Sequence, residues 1–259
     1  MTGSAGVMAL VLAETVAGSL VFLWCTPLWH EVKRGYFTLS GILFSILAFA
    51  AWRAAAAGAI PGNRAGDWSV RLALATMVVT LVWTALQLAK LRPAARVVGF
   101  LSVVVGLAVL VAMAATGRQS YVLSLFQLLA GAAFLGSVLD GLLLGHWYLT
   151  DRGLSRTPIN RATTIMLVSV VFEAVAVIAG GFGGVGSSKA FNPLLTAGAL
   201  APWIAIGMVG TTALIAVMVR ASLRGARASA VQSATGFFYL AVVTAFTAEV
   251  AVKVRFLPR

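Results

Sequence analysis

Cysteine is nearly absent: Cys25 is the only one in 259 residues. No intrachain disulfide can form, and a cysteine-rich metal or iron–sulfur site is excluded. Cys25 lies in an apolar run and reads as a small packing residue. Charge is scarce as well, with 10% of residues charged and only seven of them acidic. A soluble domain of this length needs far more charge to cover its surface. Long polar stretches are missing too. The longest lie near residues 57–68 and 180–193, and neither is long enough to fold as a soluble domain. Residues 180–193, GGFGGVGSSKAFNP, are glycine-rich but lack the Gly-Lys-Ser/Thr end of a phosphate-binding loop and follow no strand. They read as an outer turn, with a ligand-gating loop as the sharper reading. No motif for nucleophilic catalysis or nucleotide binding is present, so the chain is not expected to be an enzyme on its own.

What is abundant is apolar: 61% of residues are hydrophobic and the mean hydropathy is +0.99. Apolar runs of about 20 residues, the length of a transmembrane helix, recur along the chain. The expected fold is an all-α integral membrane protein of about eight spans, near residues 5–29, 38–58, 69–90, 95–116, 120–148, 162–182, 194–219 and 231–254. The first run carries Glu14 and has no basic stretch before it, so it reads as an uncleaved span rather than a signal peptide. Eight spans divide into four plus four, with halves 1–118 and 119–259, which allows two four-helix bundles related as a parallel repeat. Val16-Ala17-Gly18 can be laid on Leu129-Ala130-Gly131, and each of those helices then runs on to a histidine, His30 or His146.

The net charge is +12. The cations cluster at short turns, where they set topology and meet anionic head groups, so nucleic acid is not an expected partner. The turns after spans one, three, five and seven hold Lys33, Arg34, Lys90, Arg92, Arg96, Arg152, Arg156, Arg161, Arg220, Arg224 and Arg227. The other side holds Arg53, Arg64, Arg71, Arg118, Lys189, Lys253, Arg255 and Arg259, giving 11 against 8. The positive-inside rule then places both termini outside, in a membrane taken to be a bacterial cytoplasmic membrane.

Four of the seven acids, Glu14, Asp140, Glu173 and Glu249, fall inside apolar spans. An ionised acid there costs roughly 2.5–3.5 kcal/mol on insertion scales, and such residues commonly mark a path or site. Counted from the span limits above, Asp140 lies eight residues before Tyr148, about 12 Å. Glu173 lies eleven residues after Ala162, about 16 Å. The two are therefore expected at one level on adjacent helices, as proton acceptors. Glu14 extends the series, and Glu249 is expected nearer the outer face, starting an outer path. His30 and His146 are expected at the inner face. Either can hydrogen-bond a quinone carbonyl, and as a pair they are the only candidate ligands for a b-type haem. Trp147 and Tyr148 adjoin His146 and read either as part of that pocket or as an aromatic belt at the head groups. Arg152, Arg156 and Arg161 in the following turn are candidates for docking a partner subunit. Gln87, Gln127 and Tyr239 read as interhelical hydrogen-bonding groups.

The stretch Ala130-Gly131 … His146-Trp147-Tyr148-Leu149 … Pro158 … Glu173 resembles the polysulfide/DMSO-reductase membrane-anchor family. The resemblance implies two four-helix bundles without haem, passing electrons between quinol and a partner iron–sulfur subunit. It also implies a quinone site near His146, Asp140 and Glu173. The leading expectation is a membrane subunit of a respiratory or other electron-transfer complex. It would anchor membrane or peripheral redox subunits and contribute a quinone pocket or proton path. A proton-coupled secondary transporter, a b-haem protein and a purely structural or assembly subunit stay open beside it.

Overall fold

A computed structural model describes residues 1–151, 153–182, 193–225 and 229–257, with side chains except at 193–199. Among the described residues all regular structure is helical. Helix is what hydrocarbon demands of an open chain, because every backbone N–H and C=O must be satisfied within the segment. The helices are α1 (Gly3–Cys25), α2 (Leu28–Glu31), α3 (Arg34–Gly58), α4 (Arg64–Leu88), α5 (Arg92–Ala114), α6 (Tyr121–Thr150), α7 (Thr157–Ala179), α8 (Pro193–Leu223) and α9 (Ser229–Phe256). All but the short α2 contain a stretch long and apolar enough to cross a membrane, so the protein is an all-α integral membrane protein with eight candidate spans.

The helix limits differ from the apolar runs in a systematic way. The first run was expected to continue to residue 29, but α1 stops at Cys25. Pro27 has no N–H to continue the ladder, and Thr26 before it is extended (φ −102°, ψ 160°). The helices α3, α4, α5 and α7 start three to five residues earlier than the apolar runs. Asn63 caps α4 by accepting from Gly66 N at 3.1 Å, and Pro93 and Pro158 sit in the first turns of α5 and α7. Caps and first turns are polar, so hydropathy alone trims them off.

Packing divides the spans into two four-helix groups. In the first, α1 packs on α3, α3 on α4, α4 on α5, and α5 back on α1. In the second, α6, α7, α8 and α9 close in the same cyclic order. The groups meet mainly through α1 and α6, flanked by α1 with α9 and by α5 with α6. Exchanging α1 for α6 and α5 for α9 turns each of these contacts into another of the set. The two seam helices are also the most enclosed. In α1 83% of the most apolar stretch is buried and in α6 67%, against 33–44% in the other spans.

Glycine permits this seam. A Cβ on Gly18 would run into the backbone of Ala132, and one on Gly136 into the backbone of Gly18. The two main chains therefore touch directly, as small residues allow between membrane helices.

One end of the molecule gathers both described termini. There Thr2 N donates to Gly58 O and Arg118 N to Phe256 O, each at 2.9 Å. The opposite, basic end is tied by side chains. The Arg161 guanidinium donates to both oxygens of Glu31 at 2.8 and 2.9 Å, joining α7 to α2. Lys33 Nζ lies 3.0 Å from Asp151, and Arg34 donates to the Gln87 carbonyl at 3.0 Å.

Candidate functional site

The α1–α6 seam carries polar groups at two levels. Towards the terminal end, Glu14 of α1, Glu173 of α7 and both Glu249 and Lys253 of α9 converge, all four fully buried. Lys253 Nζ lies 2.6 Å from Glu14 Oε1 and 2.9 Å from Glu249 Oε2. Glu249 and Lys253 are one helical turn apart, so α9 presents them on one face. Glu173 completes the group beside Glu249. Gly131 of α6 leaves the space: a Cβ there would lie 2.7 Å from Glu14 Oε1 and 2.9 Å from both Glu249 oxygens.

With Lys253 charged and three ionised carboxyls, this tetrad would hold a net charge of −2. A dry interior does not tolerate that, since each buried ion costs several kcal/mol after relaxation. Two shared protons make the group neutral. The ammonium lies against two of the carboxyls. Among the described residues, no three His, Cys, Asp or Glu side chains are placed to hold a metal ion.

The second level lies nine residues further along α6, about 14 Å at 1.5 Å per residue. Here Asp140 is fully buried and faces Ser19 of α1 and Tyr36 of α3. Both Asp140 oxygens, Ser19 Oγ, Tyr36 Oη and the neighbouring Ser40 Oγ are buried, with Ser19 against Asp140 and Ser40 against Tyr36. Among the described residues no cation takes part. Such a cluster of buried polar atoms is costly to keep dry and has the polarity to hold water or a proton.

These positions correct two sequence expectations. Asp140 and Glu173 do not share a level. Gln127 of α6 donates to the Ala176 carbonyl of α7 at 3.3 Å, and Tyr148 donates to Ser155 O. That register puts Glu173 beside Ala130 and Gly131. The error came from the helix limits. Because α7 begins at Thr157 and α6 runs to Thr150, Glu173 lies about 24 Å into its helix and Asp140 about 15 Å from the end of its own. Glu249 does not stand apart from the other acids either. Seven residues of α9 follow it to Phe256, about 10 Å of helix that carries it inward to Glu14 and Glu173.

The aromatic and basic candidates fall elsewhere. His146 is exposed, with its Nδ1 3.1 Å from the Tyr239 hydroxyl of α9. His30 is exposed on α2 with its ring against Trp29. The two histidines thus have different neighbours on different helices. Trp147 packs edge-on to Tyr36 and over Gly35, where a Cβ would strike its ring. Tyr148 is buried. Arg161 is engaged by Glu31 within the chain, and Arg156 donates to Gly225 O. Arg152 and the loop residues 183–192 lie outside the described residues.

Sequence reasoning missed Lys253, Ser19 and Tyr36. Lys253 had been counted among the charges flanking the last span. Its i, i+4 spacing from Glu249 was the available signal, because a lysine one turn from an intramembrane acid can pair with it. Ser19 and Tyr36 carry no comparable mark in an apolar sequence.

Comparison of the chain with protein-family models, with curated proteins and with solved structures finds no match, so the resemblance over residues 130–173 stands on those residues alone.

Proposed function

We propose that this protein is a proton-handling membrane subunit whose α1–α6 seam accepts and releases protons between the tetrad and Asp140. The observation that carries the reading is the tetrad. It places two carboxyls against one ammonium and a third, Glu173, beside Glu249, all fully buried where four helices meet. Its charge balance changes with each proton gained or lost. Asp140, Ser19 and Tyr36 continue the polar series along the same seam towards the basic end.

The partner reading follows the resemblance over residues 130–173: a redox subunit docked at the basic end, with the protons coupled to its electron transfer. Quinone, on this reading, meets the chain near His146 and Tyr239, the exposed hydrogen-bonding pair on α6 and α9. Removing the buried Lys253 from the flanking cations changes the topological count to 11 against 7, which supports a cytoplasmic basic end. A second reading, a proton-coupled secondary transporter, is favoured by the matching packing order of the two four-helix groups, since such repeats often enclose a site at their interface.

Infrared spectroscopy of the purified protein tests the proton reading without needing a partner. A protonated carboxyl shows a C=O stretching band that an ionised carboxylate lacks. The wild type should show such bands, sensitive to exchange into heavy water and to pH, with separate components lost in Glu173→Gln and Asp140→Asn. A spectrum with no exchangeable carboxylic band across the accessible pH range would remove the proposal.

A further inference from the structure

We propose that the basic end carries a binding site for the phosphate head group of an anionic lipid, in a cavity bounded by α1, α2, α3 and α5. The cavity has a volume of about 470 Å³, within the size range of ligand pockets, about 300–1,000 Å³. Its wall includes Lys33, Arg34, Arg92 and Arg96, together with His30 and Trp24. That is four cations and no carboxylate.

Nearby acids are already taken. Glu31 is held by both guanidinium nitrogens of Arg161, and Asp151 by Lys33. Arg34 donates to a backbone carbonyl rather than an acid. Arg96 lies over the Trp29 ring at 4.7 Å. Among the described residues, no acid pairs with Arg34, Arg92 or Arg96. The Trp24 ring forms part of the wall beside these cations. An anionic group would compensate the guanidinium groups. A neutral head group would leave the cations unmatched.

The surface beside the cavity selects a lipid over a soluble anion. On α5, Arg92 and Arg96 are followed along the helix by Val97, Phe100, Leu101 and Val104, all exposed. The series Arg92, Arg96, Phe100, Val104 is one i, i+4 ridge. It presents charge at the membrane boundary and apolar surface towards the interior, the same order as a phospholipid with its head at the cavity and its acyl chain along α5.

The test is titration of delipidated protein in detergent with phosphatidylglycerol, phosphatidylcholine or inorganic phosphate, with bound copies counted by native mass spectrometry. Phosphatidylglycerol should bind at least tenfold more tightly than phosphatidylcholine. Arg92→Gln/Arg96→Gln should weaken phosphatidylglycerol about 30-fold, equivalent to about 2 kcal/mol, and leave phosphatidylcholine unchanged. Arg92 and Arg96 are exposed, and an unchanged melting temperature of the double variant confirms that it folds. If that variant melts lower, Arg92→Gln alone is scored by the same criteria. Equal affinity for the two lipids, or phosphatidylglycerol binding that survives the double variant, overturns the site. Displacement of the lipid by millimolar inorganic phosphate overturns the lipid assignment in favour of a soluble anion.

Discussion

The two levels of the α1–α6 seam handle buried acid in opposite ways. At the tetrad, Glu14 and Glu249 pair with Lys253, Glu173 lies beside Glu249, and countercharge is part of the fold. At Asp140 no cation is present among the described residues, and the carboxyl faces the Ser19 hydroxyl instead. The difference teaches that burial alone does not define an acid's role. The tetrad is an electrostatic unit in which each member depends on the others. Asp140 is a single group whose removal leaves no opposite charge stranded.

Lys253→Met should break the comparison most severely. It leaves three buried carboxyls without their cation, and breaking a buried ion pair from one side costs roughly 3–5 kcal/mol. A large fall in melting temperature in detergent is expected, partly reversed when Glu14→Gln and Glu249→Gln are added. A melting temperature equal to that of the wild type would mean that the tetrad is not a coupled unit.

Gly136→Val comes next, since it attacks the seam between the two levels. The added side chain meets the Gly18 backbone, which cannot rotate away. Overpacking of about 1–3 kcal/mol follows, and denaturation curves should show it. If the variant packs without loss, α1 and α6 do not touch as described.

Asp140→Asn should change stability by less than about 1.5 kcal/mol, the scale of a single hydrogen bond. Its effect belongs in the infrared spectrum rather than the melting curve. A loss as large as that of Lys253→Met would show an unrecognised charged partner and erase the contrast between the levels.

The smallest effect is expected for Arg161→Lys. The Arg161–Glu31 pair has side chains 28% and 27% exposed, so solvent screens it and about 0.2–1 kcal/mol is at stake. Lysine keeps the charge and loses the two-pronged geometry. A loss above the Gly136→Val value would make the basic end, not the seam, the dominant joint between the two groups.

Glu14, Asp140, Glu173 and Glu249 were legible as intramembrane acids because a carboxyl in a long apolar run stands out in composition. Their grouping was not. It depended on helix limits, and those were set by Pro27, Asn63, Pro93 and Pro158, which hydropathy reads as loop. A few residues of error at the start of α7 moved Glu173 by most of a helical turn or more, enough to pair it with the wrong neighbour. Lys253 was misread for a related reason. A cation near the last span end looks like a snorkelling flank, and only α9's packing against α1 draws it inward.

By itself the sequence determined that this chain lives in a membrane as about eight helices. Hydrocarbon allows an open chain no other regular structure, and apolar run length counts the spans. It also determined which acids must be accommodated there. The tertiary structure alone decided which of them meet. Helix register, the glycine-mediated approach of α1 to α6 and the rotation of α9 are properties of packing between segments distant in sequence. They gather three carboxyls and one lysine into a single buried group and leave Asp140 apart.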